Sequence, residues 1–329
     1  MLIKGCLHCH STASDGRLSP EDVVRYYRSY GYKLIAITDH GKITHINYHD
    51  DVTILPGVEL SRGRGKLGGS YHIVVLGVDD PYILEINDPQ EVIDFANSLG
   101  GITLIAHPYW SGLTHEDLIS IKNYTGIEIY NTGCDVEVAK GYSTVHWDNL
   151  ISAGIKVWGF AVDDAHRYFV PPIDANGGWI WVNAPNNDEE SIIKAIKRGD
   201  FYSSTGPTVY KAKITKTLLH VEFTPATRVN IISRNGKGIC IHEEIVSRIL
   251  KEAQEGRGQL RKLFSSVEVI KEKDITELYL NNENLKAKIV HSPVGLREIH
   301  IETKINYEYI RLEIIDREGK TAWLNPFIM

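Results

Sequence analysis

Over its first 210 residues the chain alternates short apolar runs with stretches of helical period. The runs at 33–38, 53–60, 71–78, 101–106, 126–130, 156–162 and 179–184, with another around Phe201, read as strands. Helical patterns fill several gaps, at 19–30, 88–98, 114–122, 136–152 and 188–198. The first is the most fully punctuated: Ser19 at the N-cap, Pro20 at the first helical position, Glu21 and Asp22 in the first turn, and Gly31 as the stop. Repeated strand–helix units predict a mainly parallel sheet closed into an α/β barrel over residues 1–207.

Beyond Pro207 the pattern changes. Residues 208–241 and 266–327 alternate polar and apolar positions, as in Ile310-Arg311-Leu312-Glu313-Ile314, and Asp316-Arg317-Glu318-Gly319 reads as a hairpin turn. One amphipathic helix near 243–264 interrupts the strands. The prediction is a second, β-rich and sandwich-like domain over 208–329 with a helical insertion. No internal repeat or low-complexity segment is visible.

Composition narrows the class without naming a function. At 329 residues, 43% apolar and 24% charged, the chain can bury two cores. A formal net charge of -6 gives no general affinity for nucleic acid or for an anionic membrane. No apolar run approaches the roughly 20 residues that span a bilayer. The first residues are too short and too weakly apolar for a signal peptide, so a cytoplasmic protein is expected. Four cysteines do not make a disulfide framework. Cys6 and Cys9 form a C-x-x-C, but three positions apart on a strand they would point to opposite faces. They are expected to be buried thiols.

Ten of the 14 histidines lie in residues 1–166, and their positions matter more than their number. His8 and His10 are two apart, so both imidazoles leave the same face of an extended chain. Asp15 follows in Ser14-Asp15-Gly16, then Thr38-Asp39-His40, Glu59, His72, Ala106-His107-Pro108 and Asp163-Asp164-Ala165-His166. Most of these end a strand, where parallel barrels place their active sites; His72, at a strand start, fits that rule less well. Nitrogen and oxygen donors without cysteine suit catalytic zinc, manganese or iron rather than a structural zinc site.

In the order and spacing of these motifs the chain resembles the PHP family, named for polymerase and histidinol phosphatase. The segment from Phe201-Tyr202-Ser203 to Pro207, together with Trp323-Leu324-Asn325-Pro326, is similar to its branch of carbaryl-type metallohydrolases. The resemblance implies a distorted (β/α)7 barrel carrying two or three divalent ions. It assigns His8, His10, Glu59 and Asp164 to one ion, Asp15, His40 and His166 to a second, and Glu59, His72 and His107 to a third. Some members have histidine where Asp15 stands, which bears on the metal preference of the second site.

A hydroxide held by Glu59, Asp164 and His166 would then attack the substrate. Asp39 and Asp163 are expected either to orient imidazoles or to cap the next turn. Arg167, next to the last ligand, and Arg62, in a basic loop with Arg64 and Lys66, are the candidates for substrate contact. Lys66 is followed by Leu67, so the loop is not a P-loop. Tyr109, Trp110, Tyr130 and Asn131 follow strand ends and are candidate pocket residues. Ser204, Thr205 and Gly206 are expected to lead into the second domain. The leading expectation is hydrolysis of a phosphoester in a small molecule or nucleotide. The alternative is a carbamate, ester or amide bond at the same centre, and a third is a non-catalytic scaffold. The sequence leaves a homo-oligomer open.

Overall fold

Two compact units divide the chain, Met1–Ser203 and Ser204–Met329, in a computed structural model that describes residues 1–46, 51–304 and 307–328. His49, and Ile305 and Asn306 within the C-terminal alternation, lie outside the described residues.

The first unit begins with β1 (Leu2–Cys6), α1 (Pro20–Ser29), β2 (Leu34–Ala36), β3 (Thr53–Leu55), β4 (Gly57–Arg62) and β5 (Tyr71–Leu76). It continues through α2 (Pro89–Ser98), β6 (Ile102–Ile105), α3 (His115–Ser120), β7 (Gly126–Asn131), α4 (Thr132–Val138), α5 (Thr144–Ser152) and β8 (Trp158–Val162). β9 (Trp179–Asn183), α6 (Glu189–Arg198) and β10 (Phe201–Ser204) close it. The caps follow local chemistry. Ser19 accepts from the Asp22 amide, Asp88 from those of Gln90 and Glu91, and Thr114 forms a reciprocal capping box with Asp117.

Two expected elements are split. The run 53–60 breaks at Pro56, which has no amide proton for a ladder; β3 pairs with β2, while β4 pairs with β5 in another sheet. The helix expected over 136–152 is α4 and α5, separated where Ala139 takes a left-handed conformation (φ 56°). At the adjoining Gly141 a Cβ would stand 2.4 Å from that of Asp135 and 2.6 Å from the Asn131 carbonyl.

Seven strands close a ring. β1 and β2 are parallel, as are β6, β7 and β8. The Asp164 amide donates to the His8 carbonyl and the His10 amide to that of Ala165, both at 2.9 Å, tying the end of β8 to the end of β1. Parallel bridging of His40 with Glu59 ties the end of β2 to β4. The ring is mainly parallel with one exception: β5 runs antiparallel to both β4 and β6, because β4 returns into β5 with no intervening helix. Inside it Leu7, Leu34, Val74, Leu104, Phe160 and Val162 are buried in one cluster, each contributing about 1.5–3 kcal/mol.

Cys6 and Cys9 are both buried, but not on opposite faces. β1 stops at Cys6, and both thiols join one core cluster with Val23, Tyr27 and Tyr168. Burial pushes the Cys9 thiol well above its ordinary value, so it is protonated and a poor ligand.

The second unit contains β11 (Val209–Ile214), β12 (Leu218–Ala226), β13 (Arg228–Ile232), β14 (Gly238–His242), α7 (Glu243–Gln254), β15 (Ser266–Glu272) and β16 (Ile275–Asn281). β17 (Leu285–Ser292), β18 (Gly295–Thr303), β19 (Tyr309–Ile315) and β20 (Thr321–Ile328) complete it. One sheet runs β11-β12-β18-β17-β16-β15 and another contains β14-β13-β19-β20, all antiparallel. Leu219 and Ile301 of the first face Ile231 and Ile310 of the second across an apolar crevice. The turn at 316–319 forms as expected, with Gly319 at φ 79° and the Asp316 carboxylate accepting from the Glu318 and Lys320 amides. The Thr205 amide bonds the Thr321 carbonyl at 2.9 Å, a structural role for that segment. Among the described residues no helix is long and apolar enough to cross a membrane.

Candidate metal centre

At one end of the ring, nine side chains converge in three overlapping groups able to hold a metal ion. His8, His10, Glu59 and Asp164 form the innermost; Glu59, His72 and His107 the second; His10, Asp15, His40 and His166 the outermost. The expected sets recur, with His10 added to the outer group. His72 reaches this end because β5 is antiparallel. Its start lies beside the C-terminal ends of the parallel strands, and it is in register with Ser61, two residues past Glu59.

The innermost spacing fits a tetrahedral cation. His8 Nε2 stands 3.2 Å from His10 Nε2, 3.3 Å from Glu59 Oε2 and 3.1 Å from Asp164 Oδ1. His10 Nε2 is 3.3 Å from the same Glu59 oxygen and 3.1 Å from the same Asp164 oxygen. Four donors placed tetrahedrally 2.0–2.1 Å from a zinc ion lie about 3.3 Å apart. His10 Nδ1 is buried and has no hydrogen-bond partner among the described residues; it faces Asp15 Oδ1 at 3.8 Å. Buried polar atoms are usually hydrogen-bonded, and a cation held by the outer group would give this one a partner. The outer group is wetter: Asp15 is 56% exposed, His40 41% and His166 30%.

Glu59 holds the groups together. Its Oε2 faces His8, His10 and His40, the last at 3.1 Å, and its Oε1 faces His72 at 2.7 Å and His107 at 3.3 Å. Two of the nine residues occupy strained backbone: His107 has φ 27° and Asp164 φ 54°, regions that cost non-glycine residues about 1–3 kcal/mol. At Gly16 a Cβ would lie 2.3 Å from the His10 carbonyl, so the turn carrying Asp15 requires glycine.

The electrostatics have one dominant feature. Burial alone would lower the imidazoles, but around His8 the carboxylates of Asp164, Glu128 and Glu59 outweigh it and raise it well above 6.5. His10 is raised to about 9, burial being outweighed by Asp164 and Glu59, and His107 is raised in the same way. Glu59 and Asp164 are held well below the usual carboxylate range, burial being overcome by the histidines. Burial, with help from His10 and His8, lowers His40. In metal-free protein, protons stand where cations would.

Two consequences follow for pH. Zinc loading of metal-stripped protein at pH 8 should expel about one proton from His10, together with whatever the other raised imidazoles carry. Calorimetry in buffers of different ionisation enthalpy measures this, and fewer than about one proton would contradict the assignment. The raised histidines stabilise the stripped fold fully below about pH 6.5, an effect lost as pH rises through about 9. The depressed carboxylates stabilise it above about pH 4, an effect lost on acidification. Stripped protein is therefore most stable between these limits.

Several expected contacts are absent. Asp39 does not orient an imidazole; it accepts from the Ser11 amide and hydroxyl, Ser14 and Thr44, which hold its carboxyl low against burial. Asp163 points away from its neighbour's ligand set. It accepts from Tyr27, Thr132 and the amides of Asn176, Gly177 and Gly178, while burial pushes its carboxyl up. Arg62 turns from the site, donating to the carbonyls of Ile86 (2.5 Å), Leu84 (2.9 Å) and Ser61 (3.0 Å). Arg64 bonds the Gly68 carbonyl and Lys66 pairs with Glu116. Tyr130 is buried, edge-on to Tyr142.

Arg167 does line the cavity beside the donors, which has a volume of about 330 Å³. Its Nη2 pairs with Glu137 at 2.5 Å. Trp110 lines it too, edge-on to His72 and His107. Sequence reasoning missed Glu128, whose Oε1 is 2.6 Å from His8 Nδ1, Ser111, 3.0 Å from His107 Nδ1, and Asp174, which accepts from the amides of His166, Arg167 and Tyr168. A lone acid in the apolar run Gly126-Ile127-Glu128-Ile129 was the available signal for the first.

No protein-family model matches the chain. A 5'-3' exoribonuclease of Haemophilus influenzae is 39% identical over 82 residues, which is 22% of this chain and only 28% of that protein. A two-domain Bacteroides vulgatus protein, described as containing a predicted PHP-like metal-dependent phosphoesterase, aligns with a TM-score of 0.49 at 12% identity, over 100% of this chain and 95% of its own. A Bifidobacterium adolescentis protein described as a metal-dependent phosphoesterase aligns with a TM-score of 0.43 at 14% identity, over 59% of this chain and 96% of its own.

Proposed function

We propose that this chain is a PHP-type metal-dependent phosphoesterase acting on a small molecule or nucleotide. The observation that carries the reading is the convergence of six imidazoles and three carboxylates on one cavity, with Glu59 common to two of the three groups. In this reading the closed ring is a distorted (β/α)7 barrel, the second unit is an accessory β-rich domain, and the protein is cytoplasmic. The inner group would hold one ion, Glu59, His72 and His107 another, and Asp15, His40 and His166 a third. Zinc, manganese or iron bound there would acidify a coordinated water and draw charge from phosphoryl oxygens.

The chain's own residues supply the rest. Arg167 is the one arginine or lysine among the described residues lining the cavity, and its guanidinium can bind a phosphoryl group bidentately once Glu137 releases it. Trp110 gives the cavity an apolar wall beside His72 and His107. Asp164, 3.1 Å from His10 and 3.8 Å from His166, stands with Glu59 where a nucleophilic water would be oriented.

Assays of manganese-loaded protein on aryl phosphates and aryl carbamates test the reading. Arg167→Ala should lower kcat/KM on the phosphate by about 10–100-fold and spare carbamate turnover. Unchanged phosphatase kinetics would remove Arg167 from the substrate site. Turnover of carbamates alone would replace the phosphoesterase reading with the carbamate one.

A further inference from the structure

Three hydrogen-bond donors converge on the fully buried carboxylate of Glu128. They are His8 Nδ1 at 2.6 Å, the His107 amide at 2.8 Å and Asn131 Nδ2 at 2.9 Å. The orientation of Asn131 is fixed, because its Oδ1 accepts from the Cys134 amide at 2.9 Å. Its Nδ2 therefore donates, and it also reaches Asp164 Oδ2 at 3.1 Å. From its place in the middle of β7, Glu128 thus touches His8 directly, His107 through the backbone and Asp164 through one intermediary. Among the described residues no hydrogen bond or ion pair links it to Asp15, His40 or His166.

We infer that Glu128 is the positioning residue of the inner centre, an inference that rests on the reading of these donors as metal ligands. A carboxylate only accepts, so Glu128 keeps a proton on His8 Nδ1, and Nε2, which faces Glu59 and Asp164, is the nitrogen left to take a metal once its own proton is displaced. The same carboxylate holds the His107 amide, whose residue has a left-handed φ of 27° that an unsupported chain would relax. Through Asn131 it fixes the Asp164 oxygen pointing away from His10. One side chain sets the tautomer of one ligand, the backbone of a second and the rotamer of a third.

An amide of the same shape cannot substitute. In Glu128→Gln the NH2 group must face either His8 or the pair formed by the His107 amide and Asn131. Facing His8, it forces the imidazole proton onto Nε2 and removes the lone pair. Facing the other two, it sets a donor against donors.

The test is a zinc titration of metal-stripped, full-length protein against a competing chromophoric chelator, for wild type, Glu128→Gln and Glu128→Asp. Glu128→Gln should weaken the ions of the inner and Glu59-His72-His107 groups by about 10–100-fold, while the ion of the Asp15-His40-His166 group keeps its affinity. Ring 15N shifts of zinc-loaded wild type should show His8 protonated at Nδ1. Glu128→Asp, which keeps two acceptors but withdraws them from His8, should weaken the same ions by a smaller factor and serves if the glutamine variant fails to fold. Wild-type affinities in both variants would overturn the assignment. So would an even loss over all ions with lowered thermal stability of the stripped protein. A wild type that takes up no zinc would sink this inference and the functional reading together. Zinc uptake without phosphoester hydrolysis would sink the phosphoesterase reading alone.

Discussion

Glu59→Gln should lower phosphoester hydrolysis by about 10³-fold or more and cost the chain more than one bound ion. The expectation follows from the number of imidazoles one carboxylate serves. Both oxygens are used, Oε2 toward His8, His10 and His40 and Oε1 toward His72 and His107. Glutamine offers one acceptor, and its NH2 must face ring nitrogens whose lone pairs are needed for metal. The side chain is 1% exposed, so water cannot replace the lost oxygen. A second readout comes from protons. Without the Glu59 charge His10 loses one of the two carboxylates that raise it, so zinc loading at pH 8 should expel fewer protons than in wild type. Metal content by elemental analysis and kcat/KM on an aryl phosphate are the measurements. Activity within about 10-fold of wild type, with full metal content, would show that Glu59 is not the shared ligand.

The donors were legible from sequence because their signal is local: an i,i+2 pair of histidines, then carboxylates and histidines at strand ends. What failed was direction. On an extended chain side chains an odd number of positions apart leave opposite faces, so a strand residue directly beside a ligand tends to leave its site. Asp39 beside His40 and Asp163 beside Asp164 both turn to the other side and tie loops together. Arg62 lies three positions after Glu59 and leaves with the opposite face, toward the carbonyls of Leu84 and Ile86. His72 looked misplaced because it opens a strand, and in a parallel barrel the strand openings lie at the end away from the active site. The reversal of β5 brings it to the right end. Glu128 was visible as a charge in an apolar strand, but its partner His8 lies 120 residues earlier, and only the folded ring joins them. The alternation beyond residue 207 was easier to read. Antiparallel strands with one buried face carry a period of two wherever they pair, as β12 does with its strict run of buried Leu219, Val221 and Phe223.

Asp163→Ala should leave every metal donor in place chemically and still lower the unfolding temperature by roughly 8–16 °C. The side chain is fully buried and gathers five donors: the hydroxyls of Tyr27 and Thr132 and the amides of Asn176, Gly177 and Gly178, at 2.6–2.9 Å. Each buried donor left without an acceptor costs about 1–3 kcal/mol. Tyr27 and Thr132 can rotate their hydroxyls toward other acceptors, whereas the three successive amides cannot move without unmaking the loop. Removing a carboxylate that burial already disfavours returns part of the loss, which leaves a net near 4 kcal/mol, at about 2–4 °C per kcal/mol for a unit of this size. Asp163→Asn separates the two contributions. It removes the buried charge and keeps one acceptor oxygen, so its unfolding temperature should fall between those of wild type and the alanine variant. Scanning calorimetry of metal-stripped protein at neutral pH gives the ordering directly. If alanine shifted the transition by less than about 3 °C, the carboxylate would not be what anchors the segment 176–178. Because Asp164 follows immediately at a strained φ of 54°, the alanine variant should also bind the inner zinc ion more weakly than wild type, while the asparagine variant, with the loop still held, should bind it nearly as well.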